Sequence, residues 1–103
     1  MKYLLLIMIF ACFSAHAQEW TPSDGNVIKE LTRDEDGNLY LSLDGFDFVG
    51  CTNTDRAIIP ASETGFRKMS SILDGAKILA KPVRAACDGC QNGYSVIKQA
   101  YML

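Results

Sequence analysis

The chain reads as a mainly β domain with one helix, in the order β-β-β-α-β-β, and three observations predict it. Residues 39–43 alternate strictly, with Leu39, Leu41 and Leu43 on one face of a strand and Tyr40 and Ser42 on the other. Phe66, Met69, Ile72, Leu73, Ala76, Leu79 and Ala80 recur at spacings of three and four, the stripe of a single amphipathic helix. Two β-rich runs follow that helix. A helix between strands three and four of five is the order of the OB-fold, a five-stranded Greek-key barrel. The helix stripe would plug the open end between those strands. An open antiparallel sheet packed on one helix fits the same order, because periodicity does not encode which strands lie side by side.

The elements follow from the start of the chain. Met1-Lys2 is a short positive start, residues 3–13 are an apolar run, and Ala15-His16-Ala17 is a small-x-small cleavage signal. This is the grammar of a secretory signal peptide. Residues 1–17 are therefore expected to be removed after Ala17, leaving 18–103 as one domain. The run is too short for a transmembrane helix, which needs about 20 apolar residues. A lipoprotein cut before Cys12 would put the bulky Phe10 where a small residue is usual. The expected location is secreted or periplasmic, where disulfides form. Export also removes Cys12 and the sole histidine, His16.

Residues 18–26 are a polar lead in which Trp20 is expected to cover an end of the core. Residues 27–33 form the first strand. Asp34-Glu35-Asp36-Gly37-Asn38 is a hairpin turn, since Gly and Asn tolerate positive φ. Residues 44–50 are a loop or a bulged continuation of the second strand. Residues 56–59 are a short third strand limited by Pro60. Ser62 or Thr64 is expected to cap the helix, within which Gly75 costs about 1 kcal/mol relative to Ala. Pro82 marks the exit. Residues 83–87 are the fourth strand, 88–93 a turn and 94–103 the fifth strand.

Composition restricts function. The formal net charge is −2, and loss of Lys2 makes it more negative. That leaves no clustered basic face of the kind nucleic acid needs. No second apolar segment remains to insert into a membrane. Such a small domain buries only about 60–65% of its unfolded surface, so a disulfide worth about 2–4 kcal/mol would matter. Three cysteines survive processing: Cys51, Cys87 and Cys90. The odd count predicts one thiol that is free or pairs with another chain. A bridge from Cys51 to Cys87 or to Cys90 is expected.

Catalysis has little to work with. Without histidine there is no Ser-His-Asp or Cys-His arrangement, so no catalytic residue, cofactor or metal is expected. Asp34-Glu35-Asp36 resembles a calcium loop only loosely, because Gly37 and Gly45 fall where the ligand pattern fails. Three thiolates leave a zinc site one ligand short. Cys87-Asp88-Gly89-Cys90 has C-x-x-C spacing, and a thiol oxidoreductase is the weakest of the three readings, since the motif follows a strand. Binding is what remains. Trp20, Tyr40, Phe46, Phe48, Tyr94 and Tyr101 supply aromatic rings suited to stacking on sugars. Phe46 and Phe48 sit in an acidic, glycine-flanked loop and are expected to be exposed as a partner surface.

Glu19-Trp20-Thr21, Val27-Ile28, Tyr40-Leu41-Ser42-Leu43-Asp44-Gly45, Gly65-Phe66-Arg67-Lys68-Met69 and Pro82-Val83-Arg84 together resemble, in outline, the B subunits of AB5 toxins of the subtilase cytotoxin and typhoid toxin type. The resemblance implies an OB-fold, a homo-oligomeric ring of five, binding of sialylated glycans and a separate enzymatic subunit. It departs at two places. The stretch between Trp20 and Val27 lacks the family's serine-bearing extension, leaving Ser23 as the only serine there. The family's strand-two cysteine is Ser42 here, so Cys51 must pair with Cys87 or Cys90 or stay free. Trp20, Ser23, Phe46 and Phe48 are the candidate ligand- or partner-binding residues. The leading expectation is a glycan-binding module, and the second is an envelope protein-interaction or inhibitor module.

Overall fold

The computed structural model describes residues 19–103. The leader, its cleavage after Ala17, Cys12 and His16 lie outside the described residues. The elements are β1 (Glu19–Trp20), β2 (Asn26–Arg33), β3 (Leu39–Leu43), β4 (Ala57–Ile59), α1 (Phe66–Leu79), β5 (Pro82–Gln91) and β6 (Tyr94–Met102). The described chain is mainly β with a single helix. Its six strands form one mixed sheet. β2, β3 and β4 pair antiparallel in succession, and β5 pairs antiparallel with β1, β2 and β6. β4 and β6 run parallel, so the sheet is not the wholly antiparallel alternative. That geometry needs a long crossover, and α1 with β5 provides it.

The β2–β3 hairpin forms as its alternation requires. Asp34 holds the turn: its carboxylate accepts from the Asp36 and Asn38 N–H groups (2.9 and 3.0 Å), from Asn38 Nδ2 (3.0 Å) and from the Tyr40 hydroxyl (3.0 Å). Gly37 takes the positive φ of 87° that the turn demands. Asn38 Oδ1 accepts the Ala61 N–H at 2.9 Å and ties the turn to the chain beyond β4.

Leu39, Leu41 and Leu43 of β3 enter a core with Ile28, Ala57, Ile59, Val83, Ala85, Ile97 and Ala100 from the other strands. Helix α1 closes it with Met69, Leu73 and Ala76, spaced to share one face, and packs on β2 and β6. The buried stripe is shorter than the periodic one, because Leu79 and Ala80 are exposed. The helix ends at Leu79: Ala80 turns left-handed and the Lys81 N–H bonds the Ala76 carbonyl, the usual device for a helix C-terminus. Neither Ser62 nor Thr64 caps the start. The cap is Gly65 at φ 81°, without a side-chain hydrogen bond, and the Phe66 N–H bonds the Glu63 carbonyl instead.

Two further expectations are corrected. The polar lead contains a sixth strand, β1, whose two residues are too few to show any periodicity. β5 also runs on through residues 88–91, where a turn is expected. The actual turn is Asn92-Gly93, with φ of 53° and 84°, an Asn-Gly pair suited to a tight hairpin. Gly89, at φ 79°, sits in a bulged stretch where the β5–β6 register shifts between Cys87 and Cys90. The ladder resumes beyond it.

Burial raises the Asp34 carboxyl pKa, but the hydrogen bonds from Asn38, Tyr40 and Asp36 outweigh it and leave it below its ordinary 3.8. A depressed native pKa stabilises the fold above the unfolded value, and that stabilisation is lost as pH falls through the folded value. Asp34→Ala is therefore expected to lower the melting temperature at pH 7. The gap from wild type should narrow as pH drops below 3.8, which thermal melts across pH 2–7 will check. A gap independent of pH would assign the loss to packing instead.

Candidate functional site

A cleft forms where the 44–55 loop meets β1 and the far end of β5. The Cys51–Cys90 disulfide, 39 residues apart in sequence, staples the loop to the β5–β6 hairpin. The Asn53 N–H donates to the Gly93 carbonyl at 2.7 Å beside it. Glycine is favoured at 93, where φ is 84° and a Cβ would also press on Asn53 Nδ2 at 2.8 Å. The Phe48 N–H donates to the Thr54 carbonyl at 2.8 Å and folds the loop back on itself.

That folding overturns the expected exposure of the loop aromatics. Phe48 is buried within the core, and Phe46 is partly buried against it, edge-to-face at 5.2 Å. Their rings cover core that β3 leaves uncapped, which is worth more than display to solvent. The exposed apolar residue of the loop is Val49, at 66%.

β1 makes the opposite wall. Its anchor is Thr21, a buried polar residue. The Thr21 N–H donates to the Ala85 carbonyl and the Ala85 N–H donates to Thr21 Oγ1, both at 2.9 Å, while Arg84 Nε donates to the Thr21 carbonyl at 3.2 Å. A side-chain oxygen thus replaces a ladder acceptor at the point where β5 has no strand partner on that edge. With Thr21 fixed, Trp20 stands opposite Ala86 and Glu19 opposite Cys87.

Trp20 consequently has two sides. Inward, it lines a cavity of about 190 Å3 with Glu19, Phe46, Phe48, Val49 and Cys87. Outward, its ring lies over β5 and stacks on Tyr101 of β6, with centroids 5.6 Å apart and planes 5° from parallel. Ala86 permits this, because a larger residue between Trp20 and Gln99 would lift the indole off the strand. The Arg84 guanidinium sits 4.6 Å from the Trp20 ring, a cation–π contact. Gln99 is exposed beside it and accepts from the Tyr101 hydroxyl at 2.9 Å. Trp20 and Tyr101 remain 37% and 49% exposed.

The structure therefore brings Trp20, Phe46 and Phe48 together and leaves Ser23 apart, in an exposed turn closed by the Gly25 N–H on the Pro22 carbonyl. Tyr40 and Tyr94 form a different cluster, with the Arg56 guanidinium 5.0 and 5.4 Å from their rings. Arg84 was not foreseen. Alternation along β5 places 84 and 86 on its outer face, and that signal would have found it.

Of the cysteines, Cys51 and Cys90 pair and Cys87 stays free and half-buried. Burial, with a smaller contribution from the Glu19 carboxylate, pushes the Cys87 thiol up to about 12. A thiol held protonated at neutral pH is a poor nucleophile. The C-x-x-C pair thus lies on a strand, one sulfur bridged elsewhere and the other masked. Comparison with family models, curated proteins and solved structures gives no match to this chain.

The staple shapes the cleft and closes a long loop, worth about 4 kcal/mol by loop-closure entropy. The double variant Cys51→Ser/Cys90→Ser should lose stability of that order in urea titration. Its Trp20 emission should also shift to the red in the folded baseline, as the loop leaves the indole. An unchanged midpoint would mean that the Asn53–Gly93 contact holds the loop alone.

Proposed function

We propose that the protein is an exported, non-catalytic binding module that recognises glycans through the Trp20–Tyr101 face. The observation that carries this reading is the pair of exposed, nearly parallel rings flanked by Arg84 and Gln99. Sugar C–H faces pack on such rings, while their hydroxyls take hydrogen bonds from a guanidinium and an amide. A few convergent polar groups beside apolar surface are the usual composition of a ligand site.

The domain would present this face as an OB-fold-like barrel. In support, the pairings run from β5 to β2, β3, β4 and β6 and then return to β5. The parallel β4–β6 step and the helix after β4 agree with that architecture. The signal-peptide grammar and the Cys51–Cys90 bridge agree with a secreted or periplasmic location. Resemblance to toxin B subunits adds a homo-oligomer of five and a separate enzymatic partner to the reading. Exposed Val49, Ile78, Leu79, Met102 and Leu103 favour a second reading, in which the surface captures a protein partner in the envelope.

Glycan-array binding and native mass spectrometry separate the two. Wild type should retain glycans as an oligomer. Trp20→Ala and Tyr101→Ala should each weaken retention on the order of tenfold, about 1.4 kcal/mol, with unchanged circular dichroism. A monomer that retains no glycan ends the first reading and leaves the second.

A further inference from the structure

Three sulfur atoms share one depression. The Cys51–Cys90 bridge and the Cys87 thiol line a cavity of about 150 Å3 with Ser95 and two acidic residues, Glu19 and Asp88. Cys51 comes from the loop, whereas Cys87 and Cys90 come from the same strand. The Ser95 hydroxyl lies 3.5 Å from Cys51 Sγ and also lines the neighbouring Trp20 cleft with Cys87. Ser95 thus links the loop sulfur to the side on which the free thiol stands. Cys90 is exposed to solvent. Between the two strand cysteines the β5–β6 register is irregular, and nothing lies within 4 Å of where a Gly89 Cβ would be. β5 has slack there that a regular strand lacks.

We propose that the three cysteines form one thiol–disulfide exchange unit, with Cys51–Cys90 as the resting pair and Cys51–Cys87 as the alternative. In the exchange, Cys87 gives its proton to solvent and its thiolate attacks Cys51 Sγ. The Cys51–Cys87 bond forms as the Cys51–Cys90 bond breaks. Cys90 leaves as a thiolate into water and takes up a proton. One disulfide and one thiol stand on each side, so no oxidant or reductant is consumed.

The exchange moves Cys51 three residues along β5 and carries Val49 and Phe48 toward Trp20. It therefore narrows the cleft. Two brakes hold the resting pair at neutral pH: burial of the thiol and the Glu19 carboxylate, which together keep Cys87 protonated with a pKa of about 12. Below that value the thiolate fraction rises about tenfold per pH unit, and the attack with it.

The test incubates the purified oxidised protein at pH 7 and pH 9 without reductant. Samples are quenched with acid, alkylated and mapped by non-reducing peptide mass spectrometry. At pH 7 the label should sit on Cys87. At pH 9 a Cys51–Cys87 peptide with label on Cys90 should grow in, about a hundredfold faster than at pH 7. Glu19→Gln, at an exposed position, should speed the conversion at pH 7 with unchanged circular dichroism, and Cys87→Ser should abolish it. No Cys51–Cys87 linkage at pH 9 in wild type or in Glu19→Gln overturns the proposal. So does a Cys90 label whose rate scales with protein concentration, which marks exchange between molecules.

Discussion

A β-strand has two hydrogen-bonding edges, so three neighbours require one edge to be divided along its length. β5 meets that constraint. One edge pairs with β6 over nearly its whole span. The other pairs with β2 at Pro82 and Val83 and with β1 at Ala86 and Cys87. Between those two pairings Ala85 would have an unmet N–H in a buried place, which is costly. The Thr21 hydroxyl removes that cost. Pro82, which has no N–H to offer, stands at the first residue of the strand, where the loss is tolerated. Because β5 joins β2 to β6, the core face of β3 and the stripe of α1 have a common enclosure to fill.

The same division creates the aromatic face proposed to bind ligand. β2 takes only the start of the free edge, so the chain entering the domain can dock on the rest. Docking turns a two-residue strand into a support for an indole. The small side chain of Ala86 then lets that indole cross β5 and meet Tyr101 on the far strand. Arg84, one alternation earlier, completes the stack from the same face. Side chains on adjacent strands of one face interact by direct and diagonal contact, and three strands contribute here. The disulfide acts at the other side of Trp20, where it prevents the 44–55 loop from swinging off the hairpin.

Much of this was legible in the chain. Leu39, Leu41 and Leu43 alternate because only one face of β3 meets the core, and the helix stripe is periodic for the same reason. The Asp34 turn was legible because its chemistry is local. What could not be read was set by distant partners. β1 exists only because β5 has an open edge, and two residues carry no period. Residues 88–91 look like a turn by composition, yet ladder bonds to β6 and the bridge at Cys90 hold them as strand. Phe46 and Phe48 sit among acidic residues and glycines, which suggests exposure. Burying two rings on an uncapped core outweighs that context. The Cys51 partner was narrowed to two by counting, and only the fold shows that the loop seats it on Cys90.

Placing the aromatic face on the entering segment has a thermodynamic consequence. A two-residue strand held by a few hydrogen bonds and one ring stack belongs to the low-stability end of a fold, where local opening precedes global unfolding. Trp20 is thus the least firmly held part of its own site, while Tyr101 and Arg84 rest on the paired length of β5 and β6. A ligand that packs on both rings would join the weak element to the strong one. Part of its binding energy would then be spent in fixing β1, since only a ligand that prefers the closed state can shift the equilibrium toward it. β1 also stands over Cys87 and brings the Glu19 carboxylate beside that thiol. Occupancy of the ring pair and protection of the thiol would therefore be linked through one short strand.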